Sequence, residues 1–126
     1  MATTSEIIGQ ILYNAGCRRA FGIPGGEVLF LMEGLKNSGI EFVLAKHENC
    51  AGFMAEGGFH SDGAPGILIA TLGPGVANAV NVIANAYQDR VPLIFLTGCV
   101  DDDLALKYTH QIFDHKELLK SITKCS

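Results

Sequence analysis

The residue of this chain whose type and position best suit chemistry is a glutamate, Glu48. It lies where a short run of β-branched and aromatic residues, Glu41–Ala45, stops and an apolar, glycine-broken segment, Cys50–His60, begins. A carboxylate at such a junction either caps the following helix, by accepting hydrogen bonds from its free N–H groups, or exchanges protons with a ligand in a mostly apolar setting. Local spacing alone favours the cap, and the chemical role stays open.

The segment behind Glu48 is predicted to be a helix that is buried on every side. Its glycines each cost a helix about 0.8–1 kcal/mol relative to alanine, which indicates that another backbone or a ligand approaches closely. Its large apolar residues leave no solvent-facing stripe, so a second subunit is expected to cover part of it. The residues concerned are Gly52, Gly57, Gly58, Phe53, Met54 and Phe59.

A second candidate is the turn Gly73-Pro74-Gly75, which follows the apolar run Gly66–Thr71. A glycine-rich turn between a strand and a helix can bind phosphate through free backbone N–H groups. The dinucleotide pattern GxGxxG and the pattern GxxxxGK[ST] are both missing, however, and a lone GPG is weak evidence. The favoured interpretation is a tight turn.

No metal site is predicted from the residues of this chain. The four cysteines are widely spaced, with no CxxC pair and no histidines at zinc spacing, so they are expected to be reduced and mostly buried. They are Cys17, Cys50, Cys99 and Cys125. His110, Asp114 and His115 offer metal-ligand atoms, but a polar connection between helices explains them more simply.

Helical and strand patterns alternate along the chain and position these candidates. Helices are expected from Ser5, as the N-cap, to about Asn14–Gly16, then over Glu27–Lys36, Cys50–His60 and Val76–Tyr87. Strands are expected over Ala20–Ile23, Glu41–Ala45, Gly66–Thr71 and Val91–Thr97, with Ile122–Lys124 starting a last one and Ser61–Pro65 forming a turn. This alternation predicts an α/β fold of three layers, with helices on both faces of a mostly parallel sheet.

Ligands bind beyond the carboxyl ends of the strands in such a sheet. Three features of the sequence fall at that edge, and we expect them to lie near one another. They are Pro24-Gly25-Gly26, His47-Glu48 and Gly73-Pro74-Gly75.

The composition and charge of the chain argue against several classes of function. The 126 residues suit one domain, 48% of them are hydrophobic and 17% are charged, as in a globular protein that hides surface against a partner or within an α/β core. A net charge of −4 with dispersed lysines argues against nucleic-acid binding. The start of the chain lacks the features of a signal peptide and the apolar runs are strand-sized, so neither a membrane span nor export is expected, and the cytoplasm is the expected location.

Four groups of residues follow one another along the chain: Phe21–Gly26; His47-Glu48 with Ala51 and Ala55-Glu56-Gly57; Thr71–Gly75 with Asn78; and Asp89–Pro92 with Thr97-Gly98. In this order they resemble the N-terminal, pyrimidine-binding domain of thiamine-diphosphate enzymes such as acetolactate synthase and pyruvate decarboxylase. Each motif is weak alone, but their joint occurrence over nearly the whole chain is specific.

The resemblance implies a role for each matching residue. Glu48 would be the glutamate that hydrogen-bonds N1′ of the cofactor's aminopyrimidine and so promotes loss of the proton from thiazolium C2. Gly73, Pro74 and Asn78 would belong to the pyrimidine pocket, and Gly25 and Gly26 would line its mouth. The implied reaction is decarboxylation or carboligation of a 2-oxo acid, with thiamine diphosphate held together with Mg²⁺.

Departures from the family pattern leave open whether the chain resembles the synthases or the decarboxylases more. Gly57–His60 replaces the usual Gly-Tyr-Ala-Arg type of ending, and Leu72 stands where many members have serine. His110 and Gln111 fall where synthases tend to have Phe-Gln and several decarboxylases a histidine pair, so both are expected on the substrate side. Gln111 favours carboligation.

The resemblance also implies missing parts. The family's second domain binds the diphosphate and Mg²⁺ through a Gly-Asp-Gly motif, and no such motif occurs here. The chain is therefore expected to be truncated at its C-terminus, either as a fragment of a longer enzyme or as one subunit of a split one, and to form a homodimer or higher oligomer. Two other readings are a catalytically silent relative that serves oligomerisation or regulation, and an unrelated nucleotide-binding module.

Overall fold

The computed structural model describes residues 2–101, 107 and 109–126, in which strands and helices alternate as predicted. The elements are α1 Thr4–Asn14, β1 Arg19–Ile23, a 3₁₀ turn Gly26–Val28, α2 Leu29–Asn37, β2 Glu41–Leu44, α3 Glu48–Asp62, β3 Gly66–Ala70, α4 Pro74–Asp89, β4 Leu93–Thr97 and α5 His115–Leu119. None of the described helices is long and apolar enough to cross a membrane.

The sheet has the strand order β2-β1-β3-β4, and every pair is parallel. All five residues of β3 are buried, because this strand has neighbours on both sides and helices on both faces. The order places the switch between β1 and β3, where crossovers leave in opposite directions and ligands bind beyond the strand ends. The predicted fold class is confirmed.

Two apolar clusters make the three layers. On one face of the sheet, α1 and α2 contribute Leu12 and Leu35, which pack with Ile67 and Ile69 of β3. On the other face, α3 and α4 pack against the alternate side chains of β1 and β3. That second cluster includes Phe21, Ala51, Ala55, Leu68, Val76, Ala79, Val82 and Ile83.

Several predicted boundaries are wrong. Thr3, not Ser5, is the N-cap of α1, because Thr3 and Glu6 form a reciprocal capping box. The helix predicted from Glu27 begins with a 3₁₀ turn, and α3 continues through Ser61 and Asp62 to a left-handed cap at Gly63.

The predicted last strand, Ile122–Lys124, is not a strand. The N–H of Ile122 donates to the carbonyl of Leu119 at 2.9 Å, which closes a turn after α5, and Ile122 packs against the core beside α3 and α4. A strand needs a neighbour to receive its N–H and C=O groups, and this segment has none among the described residues.

The prediction that the cysteines are mostly buried is also wrong. Of the four cysteines, all of which are free, only Cys17 is buried, whereas Cys50, Cys99 and Cys125 are exposed. Helix α3 is not covered all round within this chain, since Phe53 is 43% and Met54 is 47% exposed. Within the described part of the chain, β1, β3 and α4 are the elements that cover α3, and they cover one face of it.

Candidate active site

Glu48 is the first residue of α3, just beyond the carboxyl end of β2, and it is only 6% exposed. The N-cap of this helix is His47, whose Nδ1 accepts a hydrogen bond from the N–H of Asn49 at 3.1 Å. The cap that local spacing favoured for Glu48 is therefore provided by its neighbour. The carboxylate of Glu48 reaches α4 instead.

The contacts of Glu48 come from the first turns of α4. Oε2 accepts a hydrogen bond from Nδ2 of Asn78 at 3.0 Å. Oε1 lies beside Gly75, where a β-carbon would be 3.4 Å from this oxygen and 2.8 Å from the Thr71 methyl group. A β-carbon at Gly75 would clash with Thr71 and would lie in contact with Oε1, so glycine leaves the space beside this oxygen unfilled.

The Gly73-Pro74-Gly75 turn is shaped by backbone requirements. Gly73 has φ +65°, a conformation that favours glycine, and a β-carbon there would overlap the backbone of Gln111. Pro74 occupies the first position of α4, where its missing N–H costs nothing. The turn thus places Asn78 one helical turn further on, opposite Glu48.

The N–H groups at the start of this turn are already bonded to side chains. The N–H of Leu72 donates to Oε1 of Glu27 at 2.8 Å, and the N–H of Gly73 donates to Nε2 of His115 at 3.0 Å. Pro74 has no N–H to offer. The geometry therefore supports the tight-turn interpretation over a phosphate cradle at this position.

Gly25 and Gly26 follow β1 at the same edge but differ in their surroundings. A β-carbon at Gly25 would overlap the hydroxyl of Thr71, so the β1 and β3 ends approach each other closely there. Nothing lies within 4 Å of the corresponding position at Gly26, which is exposed. A series of contacts links the three predicted features of this edge: Gly25 lies against Thr71, Thr71 against Gly75, and Gly75 against Glu48.

Glu27 is a site residue that the sequence reasoning missed. Its Oε1 accepts hydrogen bonds from the Thr71 hydroxyl and from the Leu72 N–H. Burial acts to raise the pKa of Glu27, but hydrogen bonds from Thr71 and from backbone N–H groups outweigh it and hold the pKa below its ordinary value. Its position after Pro-Gly-Gly at a strand end was the available signal.

His115 joins the C-terminal helix to the same turn. Burial lowers its pKa, while the Asp114 carboxylate acts in the opposite direction. The ring is therefore neutral at pH 7, as a hydrogen-bond acceptor at Nε2 must be. Of the two residues predicted on the substrate side, Gln111 lies with its backbone against Gly73, and His110 lies in an exposed turn just before it.

No group of three or more histidine, cysteine or acidic side chains in the described ranges could hold a metal ion. His110, Asp114 and His115 do not converge, since Asp114 caps α5 by accepting from the N–H of Glu117 while His115 bonds Gly73. The polar-connection interpretation fits these contacts.

With the fold and the site described, comparison with known proteins gives the class. Residues 2–118 match the family described as "Thiamine pyrophosphate enzyme, N-terminal TPP binding domain", and the chain belongs to that family. This finding confirms the resemblance carried by the four motifs.

Individual relatives include both synthases and a decarboxylase. A "Probable 2-ketoarginine decarboxylase" of Pseudomonas aeruginosa is 43% identical over 96 residues, which cover 76% of this chain and 17% of that protein. The acetolactate synthase large subunit of Lactococcus lactis is 40% identical over 95% of this chain and 21% of its own length. For acetolactate synthase of Bacillus subtilis the identity is 34%, over 97% of this chain and 21% of that protein. The chain thus spans about a fifth of the length of these relatives.

The residues present fit the aminopyrimidine half of thiamine diphosphate. A buried carboxylate, Glu48, has one oxygen fixed by Asn78 and the other beside a glycine, as a partner for a flat, nitrogen-bearing ring requires. The diphosphate half carries most of the charge, and it calls for a metal with oxygen ligands. No set of side chains in the described part of this chain fits that half.

Proposed function

We propose that this chain is the pyrimidine-binding part of a thiamine-diphosphate-dependent enzyme that decarboxylates 2-oxo acids, joins them to an acceptor, or does both. The observation that supports it most strongly is the buried Glu48 carboxylate at the carboxyl edge of the sheet, held by Asn78 and bordered by Gly75. Membership of the thiamine pyrophosphate family supports thiamine diphosphate as the proposed ligand of this carboxylate.

Thiamine diphosphate supplies a carbon nucleophile and an electron sink when it is bound. The proposed role of Glu48 is to share a proton with the ring nitrogen of the pyrimidine. This shared proton would make the ring's amino group a better base. Asn78 fixes one carboxylate oxygen, so that the other is directed to the ligand. The low exposure of Glu48 keeps competing water away from that hydrogen bond.

The remaining binding parts come from outside these residues. We propose that a diphosphate-binding domain or subunit provides the Mg²⁺ ligands, and that the substrate enters near Gly25, Gly26 and Gln111. The relatives are described as acetolactate synthases and as a 2-ketoarginine decarboxylase, so both reaction types lie within reach of this domain. Backbone contact between Gln111 and Gly73 supports the placement of residues 110–111 beside the site.

A homodimer is part of the proposal. Phe53 and Met54 lie about half exposed on α3, on the helix that begins with Glu48. A second copy that covers this helix would remove apolar surface from water close to the site.

The test is hydrogen–deuterium exchange at C2 of thiamine diphosphate, bound to the complete enzyme with Mg²⁺ and followed by NMR. We expect exchange far faster than that of the free cofactor. Binding without acceleration would instead identify a catalytically silent relative, and binding of nucleotides in place of thiamine diphosphate would identify an unrelated ligand.

A further inference from the structure

The turn between β3 and α4 is held by two acceptor side chains that come from different parts of the chain. Glu27, which follows β1, takes the N–H of Leu72, and His115, at the start of α5, takes the N–H of Gly73. These are consecutive backbone donors, and each is bound by a residue far from it in sequence. Glu27 also accepts from the hydroxyl of Thr71.

The held turn adjoins Glu48. The hydroxyl of Thr71 is fixed by Glu27, and its methyl group then packs against Gly75. Thr71 is β-branched, so one hydrogen bond is enough to select its side-chain rotamer. Gly75 in turn borders Oε1 of Glu48, and α4 carries Asn78, the donor to Oε2.

We propose that Glu27 and His115 are positioning residues that clamp the Thr71–Gly75 turn and thereby set the place of Gly75 and Asn78 around the Glu48 carboxylate. This inference rests on the proposed function only for its catalytic consequence. The clamp itself is a property of this chain and has readouts of its own.

The His115 half of the clamp depends on protonation, because the imidazole loses its acceptor nitrogen when it binds a proton. A protonated imidazole has donors on both nitrogens and cannot accept from Gly73. A positive charge beside the first residues of α4 is also unfavourable, since that end of the helix dipole is positive. Among the described residues, the ionisable groups placed at this turn besides His115 are Asp114, which precedes it in the chain, and Glu27, which bonds the adjacent Leu72.

The first experiment measures backbone amide exchange by NMR in this chain. His115→Gln keeps an oxygen acceptor near the place of Nε2, whereas His115→Leu removes it. We expect the Gly73 amide to exchange on the order of tenfold faster in His115→Leu and near the wild-type rate in His115→Gln. Glu27→Ala should likewise speed exchange of the Leu72 amide, and Glu27→Gln should leave that amide protected.

Controls separate the clamp from a general loss of stability. The Ile69 amide, in the buried strand β3, should keep its protection in every variant, and Glu33→Ala, an exposed change on α2, should leave Leu72 and Gly73 unaffected. Wild-type Gly73 exchange, corrected for the intrinsic pH effect, should rise as His115 is protonated, and His115→Gln should abolish that rise. Equal Gly73 protection in His115→Leu and wild type, or a Gln variant that behaves like Leu, would overturn the proposal.

The second experiment measures the positioning of Glu48. The side-chain NH₂ of Asn78 should exchange faster in His115→Leu and Glu27→Ala than in the Gln variants, because its bond to Glu48 loosens. In the complete enzyme, C2 exchange should fall by on the order of tenfold in the same two variants and recover in the Gln variants. Unchanged Asn78 protons would overturn the proposal. Absence of C2 exchange in the wild type would count against the proposed function alone, and the Asn78 protons would still decide the clamp.

Discussion

Glu48 shows how a single backbone position decides what a carboxylate does. Had the helix begun one residue later, Glu48 would have been the N-cap and its oxygens would have turned back to the helix's own N–H groups. His47 fills that position, and Glu48, as the first helical residue, points to α4 and bonds Asn78. The carboxylate is thereby buried, with one oxygen bonded to Asn78 and the other beside Gly75.

The first prediction concerns Glu48→Gln in the complete enzyme. An amide cannot share a proton with the pyrimidine nitrogen, so C2 exchange should slow on the order of 10²-fold or more. The fold should persist, because glutamine keeps an oxygen that accepts from Asn78. NMR exchange at C2 and a thermal melt of both proteins are the measurements, and an unchanged exchange rate would reduce Glu48 to a structural residue.

The second prediction is a pH dependence of stability from His115. Burial places the folded-state pKa of this histidine below its ordinary value, about 6.5. The unfolded chain therefore binds more protons in the window between the two values, and stability falls as pH is lowered through it. Urea midpoints measured from pH 7.5 to 4.5 should show a steeper decline for wild type than for His115→Gln. Parallel curves would mean that His115 does not contribute to the decline.

At the scale of elements, α3 and α4 form one unit held by polar side chains and close packing. Asn78, Asn81 and Asn85 recur along α4, and each donates its side-chain amide to α3. Their acceptors are Glu48, Asn49 and the buried Glu56. Between these bonds Gly52 of α3 lies against Val82 of α4. The spacing of the two helices is therefore part of the site.

The third prediction compares two glycines of α3. A methyl group at Gly52 would overlap the Val82 side chain, whereas nothing lies within 4 Å of that position at Gly57. Gly52→Ala should destabilise the chain by about 1–3 kcal/mol through overpacking. Gly57→Ala should stabilise it by roughly 0.5–1 kcal/mol through helix propensity. Denaturant unfolding gives both values, and a stabilised Gly52→Ala would show that the helices separate freely.

At the scale of the whole molecule, the exposed side of α3 is the surface at which we propose that a second copy of the chain binds. Phe53 and Met54 are exposed apolar residues on a helix whose other face is fully used, and the helix carries the proposed catalytic glutamate. A twofold interface would bury the same helix in both copies. Assembly and cofactor binding would then be linked through α3.

The fourth prediction is that this chain self-associates through α3. Light scattering at tens of micromolar should give the mass of a dimer or larger species. Met54→Glu should shift it to a monomer, because burial of an unpaired charge is costly. The matched control is Phe30→Glu, which changes an 80% exposed residue on α2 in the opposite layer. This change should leave the measured mass unchanged. A monodisperse wild-type monomer would contradict the proposed interface.

The fifth prediction is that these 126 residues bind thiamine diphosphate weakly and do not turn over 2-oxo acids. The described residues offer Glu48 and apolar contacts to the pyrimidine ring, and a small fragment of this kind gains limited binding energy. Calorimetry with Mg²⁺ should give a Kd in the millimolar range, which falls once the diphosphate-binding part is added. Micromolar binding by this chain alone would show that the diphosphate has a site here.

The sequence by itself determined the order of strands and helices, the parallel sheet and the edge at which the site lies, because hydrophobic period and glycine turns are local properties. It also determined the family, through motifs spread over the chain. It did not determine that His47 caps α3, that Glu27 and His115 reach one turn, or that Phe53 and Met54 stay exposed. The cap depends on which of two adjacent residues the fold leaves outside the helix, and the exposure depends on which elements cover α3. The bonds of Glu27 and His115 join residues more than forty positions apart, and such contacts leave no trace in local spacing. Only tertiary structure, which brings the ends of β1 and β3 together with α5, decided them.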